Sequence, residues 1–246
     1  MGIPDNRVIE IKNLVVSIKN KIILNNINLT INKGENHILF GPNGSGKSSL
    51  LMSIMGNPLY HIEAGQILFQ GTDITETPIH ERARQGLGMA FQRPPSVKGV
   101  KLADLISSLS GGMSQKSTDI IEKLHLTSFL NRDINLGFSG GEIKRSEVLQ
   151  VIVQNPLFAM FDEPDSGVDF VNLRLLGDMI NEFLERDRPL PLRKKAALFI
   201  THSGYMMESI EMDKAHLMMD GSIRYSGAPL ELFETIKSHG FTGCVS

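Results

Sequence analysis

The residues best suited to phosphate chemistry form one glycine-rich segment near the N-terminus. It consists of Gly41, Pro42, Asn43, Gly44, Ser45, Gly46, Lys47, Ser48 and Ser49. The segment matches the P-loop pattern G-x-x-x-x-G-K-[ST] at every required position, and we call it the P-loop. Its glycines let backbone N–H groups surround a phosphate, and the helix that follows adds the positive end of its dipole. We therefore expect Lys47 to reach the β- and γ-phosphates of a nucleotide and Ser48 to bind Mg²⁺.

A pair of carboxylates follows a second apolar run. Leu157–Phe161 is predicted to be a buried strand, and Asp162 and Glu163 come at its end. Asp162 is placed to coordinate Mg²⁺ and Glu163 to polarise an attacking water. The alternative is that the two residues only form an acidic N-cap after a strand.

The elements around these residues predict an α/β fold. Strands are expected at Val8–Ile18, Ile22–Ile31, His37–Phe40, Gln66–Phe69, Leu87–Phe91, Leu157–Phe161 and Ala196–Thr201. Helices are expected at Ser48–Met55, Thr77–Gln85, Val171–Glu185 and from about Pro229 to Ser238. The stretch from 94 to 154 is predicted to be mostly helical. Asp220–Gly221 is predicted to be a type I′ turn in a hairpin from His216 to Tyr225. This alternation favours a largely parallel sheet with helices on both faces, to which antiparallel early strands are added.

Composition excludes several classes of protein. The chain has 246 residues, 41% of them hydrophobic and 21% charged, which is typical of a globular protein. Its 25 basic and 27 acidic residues argue against a dedicated nucleic-acid binder. Cys244 is the only cysteine, so neither a disulfide framework nor an iron–sulfur cluster held by this chain's thiolates alone is expected. We see no apolar run long enough to span a bilayer and no secretory signal, which predicts a cytoplasmic protein without direct membrane contact.

A third motif indicates the family. Ser139, Gly140, Gly141 and Glu142 follow Phe138, and together with the P-loop and the Asp162–Glu163 pair they resemble the ATP-binding-cassette (ABC) ATPases. The segment also fits a helix-capping box of the form S-x-x-E, and both interpretations stay open. Ser110–Gly112 lies in a similar string, but too far upstream of Asp162 for one helix and one strand, and we expect it to be a loop.

Further positions match the family residue by residue. The resemblance implies that Gln92 is the glutamine of the Q-loop, which binds Mg²⁺ and senses a partner protein. It implies a D-loop at Asp165–Asp169 that crosses a dimer interface, and a histidine, His202, that contacts the γ-phosphate. Glu163, Gln92 and His202 are thus the expected catalytic residues, and Ser48, Gln92 and Asp162 the expected Mg²⁺ ligands. The family's adenine-stacking aromatic is replaced here, at about Ile18 with Val16 nearby.

The resemblance covers about residues 8–240 and implies one ABC ATPase domain over 1–246. Its P-loop NTPase core, a mixed sheet flanked by helices, is expected at about 1–93 and 156–246. An inserted helical subdomain is expected at about 94–155. The resemblance also implies ATP and Mg²⁺ as ligands, and an ATP-dependent homodimer in which Ser139–Glu142 acts on the nucleotide of the other copy.

The branch of the family is suggested by the sequence of the predicted helix that follows Ser139, which we call the signature helix. Residues 142–150 read EIKRSEVLQ and the D-loop reads DSGVD, which resembles the SufC family of the SUF iron–sulfur cluster assembly system. That resemblance implies a SufB-like scaffold protein as partner, in a compact archaeal-type version of the system. The ATP-binding subunit of a membrane importer is the alternative. A non-enzymatic interaction module is disfavoured because every catalytic position is filled.

Lys144 suggests a state in which the free enzyme hydrolyses ATP only slowly. It lies in the first turns of the signature helix, and we expect it to form an ion pair with Glu163 that turns this carboxylate away from water. The alternative is an exposed helical lysine paired with Glu147 or with solvent.

Overall fold

The computed structural model describes residues 6–201 and 205–244. The strands are β1 (Arg7–Ile18), β2 (Lys21–Asn32), β3 (Asn36–Phe40), β4 (His61–Phe69), β5 (Thr72–Asp73), β6 (Leu87–Ala90), β7 (Val97–Lys101), β8 (Asp133–Ile134), β9 (Phe158–Asp162), β10 (Ala196–Ile200), β11 (Lys214–Met219) and β12 (Ser222–Gly227). The helices are α1 (Lys47–Met55), α2 (Ile79–Gln85), α3 (Leu102–Ser110), α4 (Gln115–Lys123), α5 (Gly140–Gln154), α6 (Phe170–Phe183), α7 (Tyr205–Ser209) and α8 (Pro229–His239). Within these ranges, no helix combines the length and the apolar character needed to cross a bilayer.

A six-stranded sheet forms the centre of the molecule, in the order β12-β11-β3-β10-β9-β6. All neighbouring pairs are parallel except β11 with β12. Successive side chains of a strand point to opposite faces, so Ile38 and Phe40 pack in one hydrophobic cluster and Leu39 in another. Because both faces are covered, the central strands are uniformly apolar rather than alternating, as is usual for parallel sheets.

The early strands form a separate sheet in the order β2-β1-β4-β5, whose neighbours are antiparallel. The predicted antiparallel pairing is therefore confirmed. Strand β4 begins at His61, earlier than the predicted Gln66. Its first residues are mostly exposed, and they pair with β1 through backbone hydrogen bonds that leave no hydrophobic signal in the sequence.

The region from 94 to 154 is not wholly helical. Helices α3, α4 and α5 lie here, but a short antiparallel pair joins β7 to β8. All five residues of β7 are exposed, so its apolar side chains at Val97 and Val100 have no buried face to mark them as a strand. The pair brings the segment after Gln92 against the chain that leads into α5.

The hairpin turn is of the predicted kind. Asp220 and Gly221 both have positive φ, 49° and 73°, as a type I′ turn requires. A Cβ on Gly221 would lie 2.4 Å from the carbonyl oxygen of Ile23, so this glycine also permits close approach to β2. Gly221 therefore packs against β2, while Asp220 stays exposed.

The basic loop around Asp187–Lys195 is anchored at both ends. The side chain of Arg186 is 6% exposed and forms ion pairs with Glu211 and Asp213. At the other end, the Lys195 ammonium lies 3.6 Å from the centroid of the Phe183 ring and donates to Asn155. Burial lowers the pKa of Lys195 to about 8.

Two buried histidines join neighbouring strands of the central sheet. Nδ1 of His37 on β3 lies 2.9 Å from Nε2 of His216 on β11, and His37 Nε2 lies 3.1 Å from a Glu35 carboxylate oxygen. A carboxylate only accepts, so His37 Nε2 donates to Glu35. When both rings are neutral, His37 Nδ1 accepts from His216 Nε2, and His216 Nδ1 accepts from the Ser226 hydroxyl, 2.7 Å away. Burial lowers the pKa of His37, and it lowers that of His216 to about 3.

We predict that this pair makes folding sensitive to acid. The unfolded chain binds a proton near the ordinary histidine pKa of about 6.5, whereas folded His216 does not, so stability falls as the pH falls. Between pH 8 and pH 5 this one group should cost about 2 kcal/mol of unfolding free energy. Urea unfolding at both pH values should show a loss smaller by that amount in His216→Gln. An equal loss in both proteins would contradict the neutral pair.

Candidate functional site

The P-loop connects β3 to α1 through backbone conformations that need glycine. Gly41 has a φ of 156° and Gly46, the N-cap of α1, a φ of 106°. A Cβ on Gly41 would lie 2.2 Å from the carbonyl oxygen of Met218, and one on Gly46 would lie 2.9 Å from Leu24. The loop is thus folded tightly against neighbouring strands, and the N–H groups at the start of α1 face the loop interior.

Lys47 turns back into the loop that precedes it. Its Nζ donates to the carbonyl oxygens of Gly41, at 2.8 Å, and Pro42, at 3.0 Å. Burial lowers the pKa of Lys47, and the nearby carboxylates of Glu163 and Asp162 oppose this shift. The result is a buried ammonium among backbone carbonyl groups, which suits a polyphosphate.

An open cavity of about 640 Å³ lies beside the P-loop. The residues that line it are Lys21, Ile22, Ile23, Asn43, Gly44, Gly46, Lys47, Ser48, Ser49, Gln92, Glu163, Asp220 and Gly221. The structure therefore brings the P-loop, the Q-loop glutamine and the second carboxylate together. Ile22 and Ile23 form the apolar wall, and neither Ile18 nor Val16 lines this cavity. The match of Ile18 to the family's adenine-stacking position stays a prediction. Val16 is buried in the core, because its side chain lies on the inner face of β1.

Asp162 fits a divalent cation. It is 2% exposed at the end of β9, and its Oδ1 is buried with no hydrogen-bond partner. Burial raises the pKa of Asp162, while a hydrogen bond from Ser48 lowers it. A buried carboxylate oxygen without a donor, next to a hydroxyl, is the oxygen-rich setting that Mg²⁺ prefers. Ser48, Asp162 and Gln92 are the residues that would hold this ion.

Glu163 is positioned from two sides. Its φ is 47°, a left-handed conformation that is uncommon for a side chain of this type, and its N–H donates to the carbonyl oxygen of Ile200 at 2.9 Å. The Gln92 amide Nε2 donates to Glu163 Oε2 at 2.6 Å. The carboxylate is thereby directed into the cavity with one oxygen already hydrogen-bonded. Strained backbone of this kind persists where the surroundings enforce it, and often at active sites.

The signature segment begins α5. The Ser139 hydroxyl accepts from the Glu142 N–H and the Glu142 carboxylate accepts from the Ser139 N–H, so the predicted capping box is confirmed. Ser139 and Gly140 are exposed and Gly141 is half-buried. In the described part of the chain, none of the four residues Ser139–Glu142 lines the P-loop cavity. Gly111, in the competing string, instead ends α3, where carbonyl groups rather than N–H groups are exposed.

The two aspartates of the D-loop have different partners. Asp165 accepts a hydrogen bond from the Thr201 hydroxyl at 2.7 Å, which ties the loop to the end of β10. Asp169 is the N-cap of α6, where its carboxylate accepts from the N–H groups of Val171 and Asn172. The predicted γ-phosphate contact, His202, lies outside the described residues.

Lys144 does not bond to Glu163, so the predicted ion pair is wrong. It is 6% exposed, and its Nζ donates to the carbonyl oxygens of Gln92, at 3.0 Å, and Phe91, at 3.4 Å. The alternative of an exposed lysine is wrong as well. Glu147, one turn along α5, accepts from the Phe91 N–H at 3.2 Å. The sequence analysis named Glu147 as a possible partner of Lys144, but it missed that both charges are buried and bond to the backbone of Phe91 and Gln92.

Comparison with known proteins decides the family. A family model described as "ABC transporter" matches residues 24–166. The chain belongs to the ABC ATPases. It is 38% identical to a probable ABC transporter ATP-binding protein of Streptococcus pyogenes serotype M3, over 96% of this chain and 94% of the relative. It is 34% identical to the probable ATP-dependent transporter ycf16 of Cyanophora paradoxa, over 98% of this chain and 96% of the relative.

Solved structures agree on the fold. A nucleotide-free ATP-binding cassette from an ABC transporter superposes with a TM-score of 0.78 at 23% identity, covering 96% of this chain and 97% of the other. The ADP conformation of MJ1267, another such cassette, gives 0.76 at 24% identity over the same shares. The predicted α/β fold of ABC type, with a mixed sheet flanked by helices, is confirmed. The chain is accordingly an ATPase that uses ATP with Mg²⁺, and ATPases of this family work as dimers with partner subunits.

Proposed function

We propose that this ABC ATPase hydrolyses ATP through Glu163, in an ATP site completed by a second copy of the chain. The observation that supports this most directly is the hydrogen bond from Gln92 to Glu163 at the wall of the P-loop cavity. Gln92 thereby holds the Glu163 carboxylate at the cavity wall, where it accepts a proton from an attacking water. A carboxylate with this role needs to be held in place, and this hydrogen bond together with the fixed backbone of Glu163 does so.

Each of the remaining site residues binds either the phosphates or the metal ion. The P-loop N–H groups of Gly41–Ser49 and the Lys47 ammonium bind the phosphates and neutralise their charge. Ser48, Gln92 and Asp162 hold Mg²⁺, which supplies Lewis-acid stabilisation of the γ-phosphoryl oxygens when bound. We propose that His202, two residues after β10 in the sequence, contacts the γ-phosphate.

The signature residues act between copies. Ser139, Gly140, Gly141 and Glu142 form a helix N-terminus that is exposed at Ser139 and Gly140, and a helix N-terminus favours an anion. We propose that this terminus binds the γ-phosphate held by the P-loop of the other copy. Asp165 and Asp169 then lie in the D-loop, next to the signature segment, since a Cβ on Gly140 would lie 3.4 Å from the Gly167 carbonyl oxygen. Within this scheme the domain consists of a core at about 1–93 and 156–246 and a helical subdomain at about 94–155.

The ATP cycle drives a protein partner, which we propose to be a SufB-like scaffold in cytoplasmic iron–sulfur cluster assembly. The sequences of α5 and of the D-loop, which resemble the SufC family, support this partner. A docking surface is offered by β7, where Val97 and Val100 are 36% and 37% exposed beside Lys98 and Lys101. The strand follows directly on the Gln92 segment, so a partner bound there contacts the chain that leads to the catalytic carboxylate.

A second function rests on the relatives' names, which describe ATP-binding proteins of transporters. In that case the partner is a membrane subunit. Affinity purification of the tagged chain with its native partners, followed by mass spectrometry, separates the two. Recovery of a large protein without membrane spans supports the scaffold, whereas recovery of a multi-span protein overturns it in favour of the transporter.

We predict that Glu163→Gln abolishes turnover but keeps ATP binding. The amide preserves shape and loses the charge that accepts the proton, so kcat should fall about 100-fold or more. An ATP-dependent dimer should accumulate in sedimentation experiments. Glu182→Gln, which removes an exposed carboxylate on α6, is the matched control. Turnover near the wild-type rate in Glu163→Gln would remove Glu163 from its role.

Gly141→Asp should abolish the ATP-dependent dimer while each copy still binds ATP. A Cβ at this position meets only Asn172 Nδ2, at 3.7 Å, so the fold accommodates the substitution. The added carboxylate would face phosphate across the interface. Gly141→Ala adds the Cβ without the charge and should still dimerise. If sedimentation shows an ATP-dependent dimer for the aspartate variant, the signature assignment is wrong.

The docking surface is tested by Val97→Asp combined with Val100→Asp. Two carboxylates on an apolar and basic strand should reduce capture of the native partner at least tenfold, because both side chains are desolvated on binding. The melting temperature should change little, since both positions are exposed. Leu192→Asp with Leu230→Asp, at exposed positions elsewhere, is the control. Unchanged partner capture by the Val97/Val100 variant would place the partner on another surface.

A further inference from the structure

Two charged side chains of the signature helix are buried against the Q-loop. Lys144 is 6% exposed and Glu147 is 5% exposed, although both residue types are almost never buried unless they are paired. They lie one turn apart on α5 and therefore on the same face of the helix. Neither charge is needed to form α5, whose N-terminus is already capped by Ser139. Their burial therefore calls for another explanation.

Both side chains bond to the backbone just after β6. Glu147 accepts from the N–H of Phe91, while Lys144 donates to the carbonyl oxygens of Phe91 and Gln92. An ammonium carries three donors, so one lysine can serve two carbonyl groups at once. The two peptide groups on either side of Gln92 are thereby held from the helix through their carbonyl oxygens, and the preceding peptide group is held through the Phe91 N–H.

The same segment is held a second time a few residues further on. Asn135, buried and with a φ of 58°, donates from Nδ2 to the Pro95 carbonyl oxygen at 3.1 Å. Its own carbonyl oxygen accepts from the Ser96 hydroxyl at 3.0 Å. One end of the Q-loop is therefore attached to α5, and the other end is attached to Asn135, just before α5. The six-stranded sheet is not its only support.

Burial and the surrounding carboxylates act in opposite directions on the pKa of Lys144. Burial lowers the pKa of Lys144, but Glu147, Asp162, Glu163 and Asp165 all favour its charged form. Burial raises the pKa of Glu147, and the Phe91 N–H and Lys144 oppose that shift. Each of the two charges therefore favours the ionised form of the other.

We propose that Lys144, with Glu147, fastens the Gln92 backbone to the signature helix and so holds the Gln92 amide against Glu163. Lys144 is then a positioning residue for hydrolysis, and this inference rests on the catalytic role proposed above for Gln92 and Glu163. Ser139 begins the same helix, about 7.5 Å along its axis from Lys144. A displacement of α5 when the signature segment meets the other copy's nucleotide moves the Gln92 backbone with it.

The test is a double-mutant cycle on the full chain. Lys144→Met keeps the aliphatic stem and removes the ammonium, and it should lower kcat at least fivefold with the KM for ATP changed by less than twofold. Lys144→Arg, which retains charge and donors, should restore part of the loss. Gln92→Ala should lower kcat as well. Since Lys144 acts through Gln92, the double variant should be no slower than Gln92→Ala alone.

The control is Lys123→Met, which removes an exposed ammonium from α4 and should leave kcat unchanged. Hydrogen exchange at the Phe91 amide should accelerate in Lys144→Met and not in the control. If Lys144→Met does not fold, Lys144→Met combined with Glu147→Gln removes both buried charges together and enters the same cycle.

The outcomes separate the two levels of the proposal. If Gln92→Ala and Lys144→Met both slow hydrolysis and their effects multiply, or if Lys144→Met has no effect, the fastening role is overturned while the site assignment stands. If Gln92→Ala itself leaves kcat unchanged, the assignment of Gln92 fails, and the role of Lys144 fails with it.

Discussion

Parallel pairing of β3, β10, β9 and β6 determines where the candidate site lies. In this arrangement the carboxyl ends of neighbouring strands meet at one edge of the sheet, which is where open α/β sheets place their ligands. The P-loop leaves β3 there, Asp162 ends β9, and Gln92 comes just after β6. Residues far apart along the chain thus meet in one cavity without any of their loops being long. The covered faces of the sheet keep this edge rigid.

That edge concentrates charge in a partly buried place, which the structure stabilises with hydrogen bonds. Lys47 is held by carbonyl oxygens of its own loop, Lys144 by those of the Q-loop, and Glu147 by a backbone N–H. Asp162 differs from these residues because one of its carboxylate oxygens is buried without a donor. Leaving such an oxygen unsatisfied costs free energy, so a bound cation removes a penalty that the folded protein otherwise carries.

What the sequence predicts well is local. The P-loop, the Ser139 capping box and the Asp220–Gly221 turn depend on residues within one short segment, and all three form as expected. What it predicts poorly depends on contacts between distant segments. Lys144 bonds to backbone 52 and 53 residues away. The exposed first residues of β4 and the exposed strand β7 form by pairing with distant strands, and no hydrophobic periodicity marks them in the sequence. The left-handed backbone of Glu163 likewise follows from its bond to Ile200 rather than from any preference of glutamate.

Glu163 is where these long-range contacts converge. Its backbone N–H is bonded to β10 through Ile200, and its side chain is bonded to the Q-loop through Gln92. Two residues further on, Asp165 is bonded to Thr201, at the end of the same strand. The left-handed φ of Glu163 costs of order 1 kcal/mol or more and persists only while its neighbours enforce it. Because Gln92 is in turn held by α5, a shift of the signature helix reaches the carboxylate through two hydrogen-bonded steps. The Glu163 carboxylate therefore lies at the boundary between the central sheet on one side and the Q-loop, held by α5, on the other.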